Sequence, residues 1–227
     1  SELQDYIKLY LDEEIRQETN IRNLDQFSRF LETAAVNHGQ QIIFSNIGSD
    51  AEVKAKTVRD YFDVLSDTLI AQLLPVFQHT QIRKPMTAAK LYFFDQGVAN
   101  AIVGRKNLNA GTPEFGVALE HFIWKELVAY RDYQQKDFNI SYWRTTSQIE
   151  VDFILSEKDQ PMVAIEVKAK ESVSRKDCKG LLAFKEEFPS TKCFVISLEK
   201  VPRITDGGIT ILPWTDLYSQ ILVPVFH

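Results

Sequence analysis

The chain has 227 residues, which suits one large domain or two small ones and allows a real buried core. Its 26 Lys and Arg against 31 Asp and Glu leave a net charge of -5, which excludes a generally basic nucleic-acid coat but not a local basic patch. The cysteines, Cys178 and Cys193, make neither a disulfide framework nor a metal-type cluster, and no apolar run approaches membrane-spanning length, so a protein of the reducing cytoplasm is expected.

Residues 3–15, LQDYIKLYLDEEI, put Leu3, Tyr6, Ile7, Tyr10 and Leu11 on one face of an amphipathic helix. Nothing in the sequence caps it, and the abrupt start reads as a segment cut from a longer protein. Residues 19–103 read as a compact first domain. Asn23 is placed to N-cap a helix running to about Asn37, with Leu24, Phe27, Phe30, Leu31, Ala34 and Ala35 inward and Gly39 as its stop. Ser45 is placed to cap a short helix, and Lys56–Asp67 carries Val58, Tyr61, Phe62 and Leu65 at helical spacing. Strand-like runs follow at Leu69–Phe77 and Lys90–Phe94, with a polar loop between them that carries Arg83, Lys84 and Pro85.

Helix, short helix, helix and hairpin is the order of a winged helix, whose third helix can enter a DNA major groove. Its outward candidates are Lys54, Lys56, Thr57, Arg59 and Asp60. The same helix carries Asp63 and Asp67, so protein docking is the competing use, because phosphate binding needs a clear excess of Lys and Arg.

Residues 103–113, VGRKNLNAGTP, are polar, Gly- and Asn-bearing and end in proline, and we place the domain boundary there. The second domain, 113–227, opens with a helix over Glu114–Arg131. Helical phase puts Glu120 on the face of Gly116, Val117, Ile123, Trp124 and Leu127. An unpaired carboxylate buried there costs several kcal/mol or is forced neutral, so a metal, a cation or a water network is implied. The alternative is that Glu120 lies at the edge of the stripe and reaches solvent. His121, about 100° around the helix, reads as a surface residue.

A strand over Asn139–Arg144 is followed by two more, Ile149–Leu155 and Met162–Lys168, around a turn at Ser156–Pro161. Period-two alternation puts Glu150, Asp152 and Ile154 on one face of the first of these and Ala164, Glu166 and Lys168 on one face of the second. A turn centred on Asp159 sets Ser156 opposite Met162, Asp152 opposite Glu166 and Glu150 opposite Lys168, with Cβ atoms about 5 Å apart. Carboxylates that close repel, and a hard divalent cation such as Mg²⁺ resolves the conflict. Lys168 is then placed to orient or deprotonate a metal-bound water, or to stabilise developing negative charge. A slip of one residue sends the acids to opposite faces. The plain alternative is a solvated sheet face with weak cross-strand pairs.

After Lys168 come Lys170, Arg175, Lys176 and Lys179, partly within a helix over Ser174–Glu187, then a strand over Cys193–Ser197, a short strand over Ile209–Leu212 and a last helix over Asp216–Leu222. The basic run is suited to a phosphate backbone or simply to a solvated helix face.

The pattern D-x(13)-E-x-K formed by Asp152, Glu166 and Lys168 resembles the PD-(D/E)XK nuclease superfamily, with Val151 where the nominal proline would stand. The resemblance implies an αβββαβ core and a Mg²⁺ or Mn²⁺ site in which Asp152 and Glu166 bind the metal, Glu120 on the first helix completes it and Lys168 assists a water. The runs KLYFFDQGVANAIVG, Gly116–Glu120, YWR, IEVDFIL, AIEVK, GLLAFKEEFP and ILPW are similar to the C-terminal part of a family of prokaryotic AAA+-type ATPases of largely unknown function. That likeness implies a winged helix and a nuclease-like domain after a P-loop module. No G-x(4)-G-K-[ST] occurs here, so no ATP site is assigned. Two functions follow as expectations: a metal-dependent nuclease acting on DNA phosphodiesters, or a non-catalytic DNA- or protein-binding module attached to an ATPase motor. A plain scaffold that packs on the ATPase is the third.

Overall fold

The computed structural model describes residues 5, 7, 9, 21, 23–79, 82–83 and 85–226. Most of the amphipathic helix expected over 3–15 lies outside the described residues. The chain is mixed α/β and divides into two compact units, one of residues 1–74 and 88–107, the other of 75–87 and 108–227.

In the first unit α1 spans Leu24–Val36, α2 Phe44–Asp50 and α3 Ala55–Asp67. Asn23 caps α1 by accepting from the Gln26 N–H at 3.0 Å. Ser45 does not cap α2, whose N-cap is Ile43 and has no side-chain hydrogen bond. Phe27, Phe30, Tyr61, Phe62 and Leu65 interlock as the core of this unit, with the Phe30 and Phe62 rings edge to face at 4.8 Å. Strands β1 (Ala71–Leu74) and β2 (Lys90–Phe93) pair antiparallel, Ala71 opposite Phe93. β1 is shorter than the run expected from Leu69, because Leu69 takes a positive φ and breaks extension. A helix absent from the expectations, α4 (Gln96–Ile102), follows, and Asp95 is its N-cap, accepting from the Val98 N–H at 3.0 Å. His38 is buried too; its Nδ1 accepts from the Phe93 N–H, which leaves Nε2 to donate to Gln96.

The second unit begins with an excursion, residues 75–87, whose backbone pairs with β3 (Asn139–Arg144): Phe77 N–H donates to Tyr142 and Met86 N–H to Arg144. The loop expected around Arg83 is therefore part of this unit rather than a free wing. Helix α5 covers Pro113–Tyr133, with Thr112 as N-cap and Pro113 in its first turn, where a missing N–H costs nothing. β3, β4 (Glu150–Glu157) and β5 (Gln160–Lys168) form an antiparallel meander. A short 3₁₀ turn, Arg175–Cys178, leads into α6 (Lys179–Glu187). β6 (Lys192–Ser197) then lies parallel to β5, β8 (Thr210–Pro213) parallel to β6, and the two-residue β7 (Arg203–Ile204) at the edge. The sheet order is β3-β4-β5-β6-β8-β7. The last helix expected over Asp216–Leu222 is a π turn, Leu217–Leu222, running into α7 (Val223–Phe226). Trp143, Val151, Ile154, Ala164, Leu181, Phe184 and Val195 fill the core of this unit.

Candidate functional site

The β4–β5 ladder pairs Leu155 with Val163, Ile154 with Ala164 and Phe153 with Ile165. One step further the same count sets Asp152 opposite Glu166. The turn differs from expectation: a register shift after Leu155 puts Ser156 opposite Pro161, not Met162. Pro161 has no N–H to give the ladder, so an irregularity at this end is the cheap arrangement. The pairs from Leu155–Val163 to Phe153–Ile165 keep the expected count.

Asp152 is 7 % exposed, and its Oδ2 accepts the Val167 N–H at 2.8 Å. The side chain takes a bond that would otherwise belong to the backbone, which ties the carboxylate to the rim of β5. Glu166 is equally buried; its Oε1 meets the Lys168 ammonium at 2.5 Å, while its Oε2 has no hydrogen-bond partner. Burial, and then the charge of Asp152, push the Glu166 carboxyl well above the usual carboxylate range, with Lys168 pulling the other way. Burial opposes the charge on Lys168, but Glu166, Asp152 and Glu120 together raise its pKa, so it keeps its proton.

Glu120 is half-buried on α5, and its charge acts on Lys168. The structure therefore brings Asp152, Glu166, Lys168 and Glu120 into one electrostatic neighbourhood. Glu150 does not meet Lys168 as the register count expects: its carboxylate pairs with Arg144 across β3–β4 at 2.7 Å. His121 is not a surface residue; it is 4 % exposed, with its ring 5.6 Å from that of Trp124. The α5 stripe is wider than the sequence reading made it, and it takes in the residue beside Glu120.

The remaining candidates are spread over both units. Lys56 and Arg59 are exposed and Thr57 half-buried on α3, and the Arg59 guanidinium sits 5.3 Å from the centre of the Phe44 ring. In the second unit Lys170 is taken by Asp177 at 2.5 Å, whereas Arg175 and Lys176 are exposed on the 3₁₀ turn. Asp177 also closes a capping box with Ser174. Burial works against its ionisation, but Lys170 and Ser174 hold its carboxyl down at about 2.

Two neighbours of the site were missed. Gly180 in the first turn of α6 is buried, and a Cβ there would lie 1.9 Å from the Glu150 carbonyl oxygen and 3.4 Å from Glu166 Oε2. Only a hydrogen lets the helix come this close to the site. The available signal was a glycine inside an apolar helical run, which costs about 1 kcal/mol against alanine and so asks for a reason. Cys178, two residues earlier, is buried; burial first, then Asp177 and Glu166, raise its thiol pKa.

Among the described residues no group of three or more His, Cys, Asp and Glu side chains has the geometry to hold a metal ion. The donor chemistry fits a cation held by fewer protein ligands. Glu166 Oε2 is a buried, unpartnered carboxylate oxygen beside a second carboxylate, and Mg²⁺ commonly takes one or two carboxylates and keeps several waters. Glu120 is not placed as a third ligand in this arrangement.

No helix of the described residues is long and apolar enough to cross a membrane. Two uncharacterized proteins, one from Mycobacterium tuberculosis and one from Mycobacterium bovis, are each 28 % identical to this chain over 127 residues, which is 55 % of the chain and 28 % of the relative. The match thus spans about a quarter of those relatives' length. No solved structure matches. Residues 1–109 match the family model of a domain of unknown function, DUF8612, and residues 115–217 match that of another, DUF4143.

Proposed function

We propose that the second unit is a PD-(D/E)XK-type domain that hydrolyses DNA phosphodiesters with Mg²⁺ or Mn²⁺, and that the first unit is a winged helix which, in the whole protein, follows an ATPase module. The observation that carries the first part is the meeting of two buried carboxylates at the end of the β4–β5 ladder, with Lys168 against one of them and Glu120 acting on that lysine. The order helix, three antiparallel strands, helix, parallel strand supports it. DUF4143 is a domain found in AAA-ATPase-associated proteins, which supports the ATPase part.

Asp152 and Glu166 would hold the cation. When bound, it supplies a more acidic water and a positive charge beside the phosphate. Asp152 is fixed for this by the Val167 N–H, and Glu166 offers the oxygen that has no partner. Lys168, held against Glu166, is placed to stabilise negative charge on the phosphate or to orient the attacking water.

The test compares wild type with D152A and K168A on plasmid and branched DNA in Mg²⁺ or Mn²⁺. Cleavage lost in both variants supports hydrolysis at this site, and equal cleavage by all three refutes it.

The second reading is a non-catalytic DNA- or protein-binding module attached to a motor. It is favoured by Lys56 and Arg59, which are exposed on α3. It predicts a salt-dependent gel shift that EDTA leaves unchanged and no hydrolysis.

A further inference from the structure

A cleft of about 870 Å³ in the second unit is lined by Arg83, Ile149, Arg175, Lys176, Lys179 and Leu182, among others. We infer that it is a track for the phosphate backbone of duplex DNA, leading to the carboxylate site; this rests on the nuclease-like reading above.

The charges of the cleft are not balanced. Arg83 is bound by Glu186 and Glu187 and donates to the Ala183 carbonyl, so its charge and that of the lining Glu186 cancel. Arg175, Lys176 and Lys179 are exposed and make no ion pair with any described residue. Even with Glu187 counted against them, these three cations leave the cleft net positive among the described residues, on a chain whose net charge is -5. Neighbouring cations repel and are cheapest to keep where a polyanion covers them.

Position ties the cleft to the site. Ile149 immediately precedes Glu150, and Lys179 immediately precedes Gly180, the residue that lies against the Glu150 carbonyl and Glu166 Oε2. A backbone held by Lys179 therefore lies beside the helix turn that packs against Glu166.

The apolar lining selects duplex over single strand. Ile149, Leu182 and Ala183 are aliphatic, and no aromatic ring is found among the described residues that line the cleft. Exposed bases would find no stacking platform there, whereas a duplex keeps its bases stacked internally and offers only its backbone.

The test measures fluorescence anisotropy of a labelled duplex of roughly 20 bp with the full chain in EDTA, over about 50 to 200 mM NaCl. Because EDTA removes divalent cations, the result does not depend on whether the site cleaves. The charge reversal R175E/K176E/K179E is compared with a control on exposed lysines elsewhere in the unit, K125E/K192E/K200E. The expected result is at least about a tenfold loss of affinity for the cleft variant and a salt slope shallower by up to about 0.9 per lost contact, with the control within about twofold of wild type. Acetylation of the wild-type chain supplies a readout that needs no variant: bound duplex should protect Lys176 and Lys179 but not Lys125. The inference is overturned by no wild-type binding at the lowest salt, by equal losses in both variants, by unprotected Lys176 and Lys179, by tighter binding of single-stranded DNA, or by competition from polyglutamate as strong as that from duplex.

Discussion

Replacing Gly180 by alanine is the sharpest single test of how α6 meets the site. In an open helix interior the change stabilises by about 0.5–1 kcal/mol, because alanine loses less backbone entropy on folding. At Gly180 the added Cβ would sit 1.9 Å from the Glu150 carbonyl oxygen, where ordinary contact begins at 3.4 Å. Both sides of that contact are backbone, so no side chain can swing away. The helix would have to retreat from β4 by about 1.5 Å, and an overpacked core of this kind typically costs about 1–3 kcal/mol. The cost outweighs the propensity gain, and net destabilisation of about 1–2 kcal/mol is expected. Gly116 in α5 provides the contrast, since nothing lies within 4 Å of a Cβ built there. Urea denaturation of G180A and G116A would measure both. A lower midpoint for G180A and an unchanged or higher one for G116A is the expected pair. A G180A protein as stable as wild type would refute the close approach of α6 to β4.

Four further predictions concern the ionisable groups. Glu166 has a raised pKa in the folded protein against an ordinary 4.5, so the folded state holds its proton longer than the unfolded state does. Below pH 4.5 this term is constant; as pH rises above that value wild type loses stability relative to E166Q, and urea midpoints whose difference is flat between about pH 4 and 8 would sink the assignment. D152N keeps an oxygen for the buried Val167 N–H and D152A does not, so D152A should be less stable by about 1–3 kcal/mol; equal stabilities would mean that the bond contributes nothing. The same D152N protein, with one repelling charge removed, should titrate Glu166 at a lower pH by carboxyl NMR. Asp177 is lowered from 3.8 to about 2, so its contribution is present above pH 3.8 and is lost as pH falls toward 2. D177A should cost about 0.5–2 kcal/mol at neutral pH through the lost capping box, and a variant with wild-type stability at pH 7 would contradict that.

Much of the first unit was legible because its signals are local. Asn23 precedes an apolar stripe, and Val58, Tyr61, Phe62 and Leu65 recur at helical spacing; each needs only its neighbours in sequence. Ser45 and Asp95 show the limit of that logic. Both are good capping residues, but only Asp95 precedes a segment whose N–H groups are free to be capped. In the second unit the alternation of β4 and β5 was enough to set the count that pairs Phe153 with Ile165, one step before Asp152 and Glu166. Alternation carries no information about which neighbour claims a charge, so Glu150 went to Arg144, and Glu166, rather than Glu150, took Lys168. His121 was misplaced because the width of a buried stripe depends on what packs against the helix.

By itself the sequence determined the periodicities, the Asn23 cap and the pairing of Phe153 with Ile165 in the hairpin, since these are properties of residues close along the chain. Only tertiary structure decided that Gly180 must be bare beside Glu150, that one oxygen of Glu166 is buried without a partner, and that residues 75–87 pair with β3. The physical reason is distance along the polymer: contacts between segments far apart in sequence arise from shape and desolvation, and neither has a period that the chain can display.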